Sequence, residues 1–541
     1  MSKPKYFFVL LLILMCHTGL FAETGDIPHL RKQLEATQLI VDDKPFLILG
    51  GELHNSSASS LDYMKPVWSK LDRLNLNTVL IPVYWELIEP NEGEFDFELV
   101  DGLIDKARKK DLRLVLLWFG SWKNSMSCYA PALVKNDQQR FGRARLKDGS
   151  AVEILSPFSK ESRDADARAF AELMKHLRDI DGERHTVIMV QVENEIGMLT
   201  DARDYSDAAN AAFAQDVPKE LIDYLAGHKG QLIPEFEKVW SANGYKTSGT
   251  WEEVFGEGLA TDELFMAWHF GRYVNYVTEA GKAQYPLPMF VNAALIRPDY
   301  KPGQYPSAGP LPHLMDVWRA AAPQIDFLSP DIYFPDFANW CEKYNRSGNP
   351  LFIPEAKNEP DAAARAFYVF GQYDAMGFSP FGIDSTADDS PLAKAYEVLA
   401  QLSPLILENQ GKGVTAGILL DRENQTAELK MGGYVLSVKH DYTWGWSGGD
   451  KDAETWPQAG GIIISTGQGE YVMAGSGFIV TFETETNGET AGILNIQQGS
   501  FKDGKWVGER WLNGDENHQG RHVRLPFGDF EIQRVRLYRY K

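Results

Sequence analysis

One arrangement recurs between residues 46 and 384: an apolar, largely β-branched run that stops abruptly on an acid, an amide or a small polar group. The clearest case is residues 186–197, where Thr-Val-Ile-Met-Val-Gln-Val runs into Glu193, Asn194 and Glu195. Short apolar runs bounded by polar residues read as strands buried on both faces, the habit of a parallel sheet covered by helices. Others lie at 46–55, 77–86, 112–119, 287–294, 325–333, 350–355 and 376–384. Helical periodicity lies between them at 61–74, 98–110, 165–180 and 262–281; in the third, Phe170, Leu173, Met174, Leu177 and Ile180 share one face. Eight strands alternating with helical or mixed sequence predict a (β/α)8 barrel over residues 27–409. Its excess length lies after the third and fourth strands. The insertion at 200–260 exceeds a simple loop and is expected to be a lid or cleft wall.

The texture changes near residue 410. Short alternating segments at 415–420, 434–439, 461–465 and 478–483, separated by Gly, Asn and Asp, predict an all-β, sandwich-like domain over 410–541. Residues 39–46 predict a hairpin turning at Asp42 and Asp43. The aromatic cluster Tyr442, Trp444 and Trp446 suits either a sugar platform or a sandwich core, and the core is the expectation because half of all strand residues face inward. His518 and His522 stand four apart among glycines with no helix to align them, which predicts a surface loop rather than a metal site. No Cys-rich site, phosphate-binding glycine loop or Ser/His/Asp hydrolase motif occurs, so no metal or organic cofactor is expected.

A formal net charge of -21 without clustered Lys and Arg argues against nucleic-acid or anionic-membrane partners and favours a neutral substrate. Aromatic content of 12%, with 14 Trp, suits stacking on sugar rings, although aromatic-rich cores are the commoner explanation. Residues 1–22 carry Lys3 and Lys5, an apolar stretch and a Leu-Phe-Ala ending, the pattern of a signal peptide cut after Ala22. Export, with a periplasmic destination, is the expectation. Lipidation at Cys16 fits less well because Met15 stands where a small residue belongs. No later stretch reaches the roughly 18 apolar residues of a membrane span. Cys128 and Cys341 permit one disulfide without requiring it.

The chemistry is read from the strand ends, because in this fold they form the active-site face. Glu195 ends the fourth strand and Glu355 the seventh. Two carboxyl groups facing each other across a barrel mouth suit glycoside hydrolysis, one protonating the leaving oxygen while the other attacks or activates water. Asn194 offers an amide to a sugar hydroxyl. Alternation turns Glu193 to the other side as a structural partner. His54 or Glu52 at the end of the first strand suits a sugar hydroxyl or, equally, a structural hydrogen bond, Lys123 and Asn124 reach the pocket if the third loop folds inward, and Trp122, Trp118 and Trp340 are candidate sugar platforms, each more often core than ligand wall.

Residues 191–197, Gln-Val-Glu-Asn-Glu-Ile-Gly, resemble the Gln-x-Glu-Asn-Glu-(Tyr/Phe)-Gly motif of glycoside hydrolase family 35 β-galactosidases. Residues 85–93, Trp-Glu-Leu-Ile-Glu-Pro-Asn-Glu-Gly, are similar to that family's Trp-Asn-x-His-Glu-Pro-x-x-Gly segment and to its family 42 counterpart. The resemblance implies a retaining clan-A barrel followed by β structure, with Glu195 as acid/base, Glu355 as nucleophile and Tyr333 touching the nucleophile. It implies a divergent bacterial branch with a single C-terminal β domain, since Glu86 replaces the family's Asn, Pro82 a substrate-contacting Tyr, and residues 120–124 its Gly-Pro-Tyr segment. Some members of that branch take galactose from xyloglucan side chains. The implied activity is a retaining exo-β-galactosidase acting on terminal β-galactosyl groups of an oligosaccharide. The alternatives are another clan-A exo-glycosidase, such as a β-glucosidase or a family 42 enzyme, and a non-catalytic carbohydrate-binding protein, against which the presence of both acids speaks.

Overall fold

The computed structural model describes residues 26–541, so the signal-peptide expectation and Cys16 lie outside the described residues. The chain opens with an antiparallel sheet of β1 (His29–Gln33), β2 (Ala36–Val41) and β3 (Lys44–Phe46). Asp42 and Asp43 turn it with φ of 50° and 64°. A two-residue hairpin turn needs both centres left-handed, and Asp tolerates that conformation better than most residues.

The barrel uses β4 (Ile48–Glu52), β5 (Thr78–Tyr84) and β6 (Arg113–Lys123). A small hairpin, β7 (Arg143–Arg145) with β8 (Ala151–Leu155), interrupts the next connection. The barrel then continues through β9 (Val187–Asn194), β10 (Met289–Ala294), β11 (Phe327–Ile332), β12 (Phe352–Ala356) and β13 (Gly377–Pro380), which closes on β4. All barrel pairs are parallel. Every residue of β5 and β9 is buried, as strands filled inside and helix-covered outside must be. The covering helix Lys160–Asp181 starts five residues before the periodicity predicts, because the Ser159 hydroxyl accepts from the Ser162 N–H and caps it. Its Phe170 lies on Gly281 of the neighbouring helix Leu259–Lys282, where a Cβ would stand 2.3 Å from the ring.

The third strand does not end at Phe119 but runs to Lys123: Trp118 pairs with Val192 and Lys123 with Asn194, so four residues of β6 bulge opposite Glu193 alone. A bulge re-aims the side chains beyond it. The 200–260 insertion, expected to be a lid or cleft wall, packs against the flank of the barrel. It forms four short helices, Asp207–Phe213, Lys219–Gly227, Pro234–Ala242 and Trp251–Phe255, that buttress the barrel wall. Phe213 and Trp251 pack on Phe265 with ring centroids 5.0 and 5.4 Å away, and the Ile233 N–H donates to Asp316 at 2.7 Å.

After the helix Pro391–Asn409 come ten strands: β14 (Thr415–Leu420), β15 (Thr426–Met431), β16 (Tyr434–His440), β17 (Ala459–Gly467), β18 (Glu470–Ser476), β19 (Phe478–Thr484), β20 (Thr490–Lys502), β21 (Lys505–Trp511), β22 (Val523–Leu525) and β23 (Glu531–Tyr540). They make a six-stranded sheet, β14-β17-β18-β23-β20-β21, and a four-stranded sheet, β15-β16-β19-β22. Leu436, Val438, Met473, Val480 and Val535 fill the space between. On the other face Ile462, Ile464, Val472, Ala474 and Ile532 join the barrel core. The helix Ala362–Gln372 lies directly on this sheet because Gly460 lets the backbones meet: a Cβ there would stand 2.3 Å from Ala364 Cα. Tyr442, Trp444 and Trp446 are not sandwich core as expected. They lie on the β16–β17 connection, where three glycines and a 3-10 turn interrupt strand alternation, and Trp446 is 76% exposed. His518 and His522 lie in the β21–β22 loop. Cys128 and Cys341 are both free, one exposed and one buried. Among the described residues no helix is long and apolar enough to cross a membrane.

Candidate active site

The C-terminal ends of the barrel strands surround a cavity of about 660 Å³ lined by Asn55, Lys123, Asn124, Glu195, Asp331, Tyr333 and Glu355, among others. That volume lies inside the roughly 300–1,000 Å³ range of small-molecule sites. Its outer wall is the segment after β10, with Leu295, Arg297, Gln304, Tyr305 and Pro306, rather than the insertion.

Glu195 sits immediately beyond β9 in an unusual backbone: φ is 63° at Glu193 and 43° at Glu195. Non-glycine residues with positive φ are costly and persist only where their surroundings hold them. Here the tight turn after Lys123 does so. Asn124 N–H donates to the Asn194 carbonyl at 3.2 Å and Ser125 N–H to the Glu195 carbonyl at 3.0 Å. The Glu195 N–H donates to Asn292 Oδ1 at 3.0 Å, and Asn292 Nδ2 donates to Asp331 Oδ2 at 2.6 Å. The Asn124 amide also donates to the Glu195 carboxyl group. Glu355, on β12, pairs in register with Asp331 on β11, and the Tyr333 hydroxyl donates to its Oε1.

Four buried acids, Glu52, Glu195, Asp331 and Glu355, thus face one buried cation, Lys123. They cannot all ionise at low cost, because a buried charge without a partner costs several kcal/mol. Burial, then the Glu355 charge, pushes Glu52 well above the usual carboxylate range. Burial, then Glu355 and Glu195, does the same to Asp331. As carboxylates, Glu52 and Glu355 Oε2 lack a donor; a proton on Glu52 turns their contact into a hydrogen bond. Asp331 Oδ1 likewise has no donor, and a proton on Asp331 makes it a donor to Glu195. Burial, then the Glu355 charge, raises Glu195 itself to about 7, against the pull of Lys123 and of the Asp331 hydrogen bond. Burial favours a neutral amine at Lys123, but the surrounding acids outweigh it and raise its pKa. The result is two reacting-size carboxyl groups, each with its own acid neighbour.

Behind the cavity, Glu193 points outward as alternation predicts. Its Oε2 accepts from the Trp122 N–H at 2.7 Å, and it shares a buried contact with Asp166, which also takes the Trp118 indole N–H at 2.9 Å and the Ser121 hydroxyl at 2.6 Å. Both Asn194 side-chain atoms are fully buried with no protein partner. Buried amides are otherwise paired, so this one keeps hydrogen-bonding capacity in reserve.

Five side chains that the sequence offered for the site lie away from the cavity. Trp122 is core: completely buried, donating to the Leu155 carbonyl at 3.1 Å and packed on Tyr273, because β6 extends through it. Glu86 is carried off by the short helix Trp85–Ile88 that follows β5, and meets Lys135 at 3.3 Å. His54 turns its Nδ1 to Asp384 at 2.8 Å and stacks edge-on to Phe381 in the adjoining groove. Trp118 is likewise core, while Trp340 lies on the helix Phe337–Tyr344 against Lys343. Asp331 and Asn292 went unnamed in the sequence. Asp331 stands two residues before Tyr333, the spacing that puts both on one side of a strand, whereas nothing local marks Asn292.

Comparison with known proteins adds the following. Residues 62–259 match the Glyco_hydro_42 family model, described as β-galactosidase, and residues 392–524 match a domain of unknown function, DUF5597. A β-galactosidase of Xanthomonas manihotis is 28% identical over 174 residues, 32% of this chain. The chain spans only 27% of that relative's length. Solved β-galactosidases from Bacillus circulans sp. alkalophilus and Rahnella sp. R3 each align at TM-score 0.46 and 16% identity. The first covers 67% of this chain and 57% of its own, the second 69% and 58%. The likeness is to β-galactosidases as a group; the matching model is that of family 42, and family 35 in particular is not singled out.

Proposed function

We propose that the protein is a retaining exo-β-galactosidase. The observation that carries this reading is the pairing of Glu195 and Glu355 in one cavity, the first held near pKa 7 and the second hydrogen-bonded by Tyr333. In the first step Glu195 gives its proton to the glycosidic oxygen while a Glu355 oxygen attacks C1, so the C–O bond to the leaving group breaks as an ester forms. In the second, Glu195 takes a proton from water as that water attacks C1, freeing Glu355 and restoring the β-configuration. Asn194, buried beside Lys123, is read as the group that holds a sugar hydroxyl, and Lys123 and Asn124 as its neighbours on the cavity wall.

The finer assignments rest on less and belong to the same proposal. Family 35 kinship rests on residues 191–197, and family 42 is the companion reading because its model is the one that matches. Galactosyl groups on larger glycans, xyloglucan side chains among them, are supported by the groove beside the cavity, which shares Asn55 and Phe381 with it and is lined by Ser56, Ser60 and Tyr63. A panel of aryl β-glycosides tests the substrate. The β-galactoside is expected to give the highest kcat/KM, and preference for the β-glucoside would replace this reading with the exo-glucosidase alternative.

The Glu52 contact yields a separate expectation. If its proton is what steadies Glu355, Glu52→Gln, which keeps a donor, retains most activity, whereas Glu52→Ala loses about 10- to 100-fold in kcat with little change in KM. Equal losses in the two variants would mean that the Glu52 charge, not its proton, is needed.

A further inference from the structure

Two motifs that the catalytic reading leaves unused meet on one surface of the β domain. Trp444 and Trp446, from the β16–β17 connection, lie with ring centroids 6.0 Å apart. His518 and His522, from the β21–β22 loop, complete the patch, His522 edge-on to Trp444 at 5.1 Å and His518 6.0 Å from Trp446. A single exposed apolar residue is ordinary, but this cluster is held in place from below. The Arg524 guanidinium lies 4.6 Å over the Trp444 ring and grips buried Asp441 through two hydrogen bonds of 2.7 and 3.1 Å. Its other contact, at 3.3 Å, is the Ser447 carbonyl. A planar fork paired bidentately ties the β16–β17 connection to β22, so the indole rings need little ordering on binding.

The patch is also tied to the catalytic face. Gln458, just before β17, donates its N–H to Asp361 at 3.1 Å and accepts from Arg365 at 2.9 Å. Asp361 begins the helix that follows Glu355 and β12. We propose that Trp444 and Trp446 form a glycan-binding platform that holds the polymer from which the cavity removes a terminal sugar; the proposal rests on the function given above. A sugar presents a C–H face that stacks on an indole and hydroxyls that reach a polar rim, here Thr443 and Asp450, both exposed. A protein partner would ask for a broad contiguous apolar area, which two ring faces rimmed by polar and glycine residues do not offer.

The test is native electrophoresis of the full chain through gels containing galactosylated xyloglucan, with kinetics on the same polymer and on an aryl β-galactoside. The wild type is expected to be retarded. Trp446→Ala and Trp444→Ala should weaken retardation and lower kcat/KM on the polymer by about 5- to 10-fold, the value of one aromatic contact. Trp446→Phe should restore both, and kcat/KM on the aryl galactoside should not change. Unaltered retardation in Trp446→Ala, or a variant that differs only by sedimenting as monomer where the wild type is a dimer, overturns the platform. Failure of the activity itself reads out separately, as an absence of aryl galactoside hydrolysis by the wild type.

Discussion

Glu355→Ala is expected to lower kcat on an aryl β-galactoside by at least about 10⁴-fold, the scale on which removing a covalent nucleophile acts. The loss should not be one of folding. Glu355 is buried beside three other acids, and once it is gone Glu195, no longer raised by its charge, is the carboxylate left to pair with Lys123. Sodium azide should restore turnover of a substrate with a good leaving group. Azide fits the space the side chain leaves and attacks C1 from the same side, so the product is the α-galactosyl azide, inverted relative to the substrate. Measured with product configuration by NMR, an unchanged kcat in Glu355→Ala would remove Glu355 from the reaction.

Glu195→Gln should act differently, because an acid/base serves both steps. With a dinitrophenyl galactoside the first step needs no proton, so a burst is expected followed by slow turnover; with an alkyl galactoside both steps suffer and kcat/KM falls by about 10²- to 10⁴-fold. Azide should rescue Glu195→Ala with the retained, β-configured product, opposite to the Glu355 variant. In the wild type the proton on Glu195 is lost near pH 7, so kcat/KM should fall on the alkaline side with a midpoint near that value, belonging to the coupled acids together, and the limb should vanish in Glu195→Gln. Stability follows with a definite sign. Between the ordinary value of 4.5 and about 7 the folded protein holds a proton on Glu195 that the unfolded chain has released. Folding is therefore disfavoured as pH rises through that window. Thermal melts of Glu195→Gln should gain on the wild type between pH 5 and pH 8.

The barrel was legible because its signal is local. Each strand is an apolar run that must be buried on both faces, and residues 186–197 and 350–355 announce their ends by switching to acids. Glu195 and Glu355 follow from that switch, whereas Tyr333 comes only from the family resemblance. What failed depended on geometry between strands. Trp122 looked like a loop residue because nothing in residues 119–123 reveals that four of them bulge opposite Glu193 and carry the strand on to Lys123. Glu86 looked like a strand end because the helical turn that rotates it away is only four residues long. Asp331 and Asn292 are not legible because their significance lies in reaching Glu195 from other strands, and length alone, which suggests a lid or cleft wall at 200–260, says nothing of where that segment packs. Trp444 and Trp446 were assigned to a core by alternation, which ceases to apply where glycines interrupt the strand.

Trapping with 2-deoxy-2-fluoro-β-galactosyl fluoride tests the central claim most directly. The C2 fluorine slows both steps while the fluoride leaving group lets the first proceed, so a retaining enzyme accumulates its sugar ester. Peptide mass mapping of the inactivated protein is expected to find one fluorogalactosyl group, attached at Glu355. A label on Glu52 or Asp331, or turnover without any covalent adduct, would contradict the account.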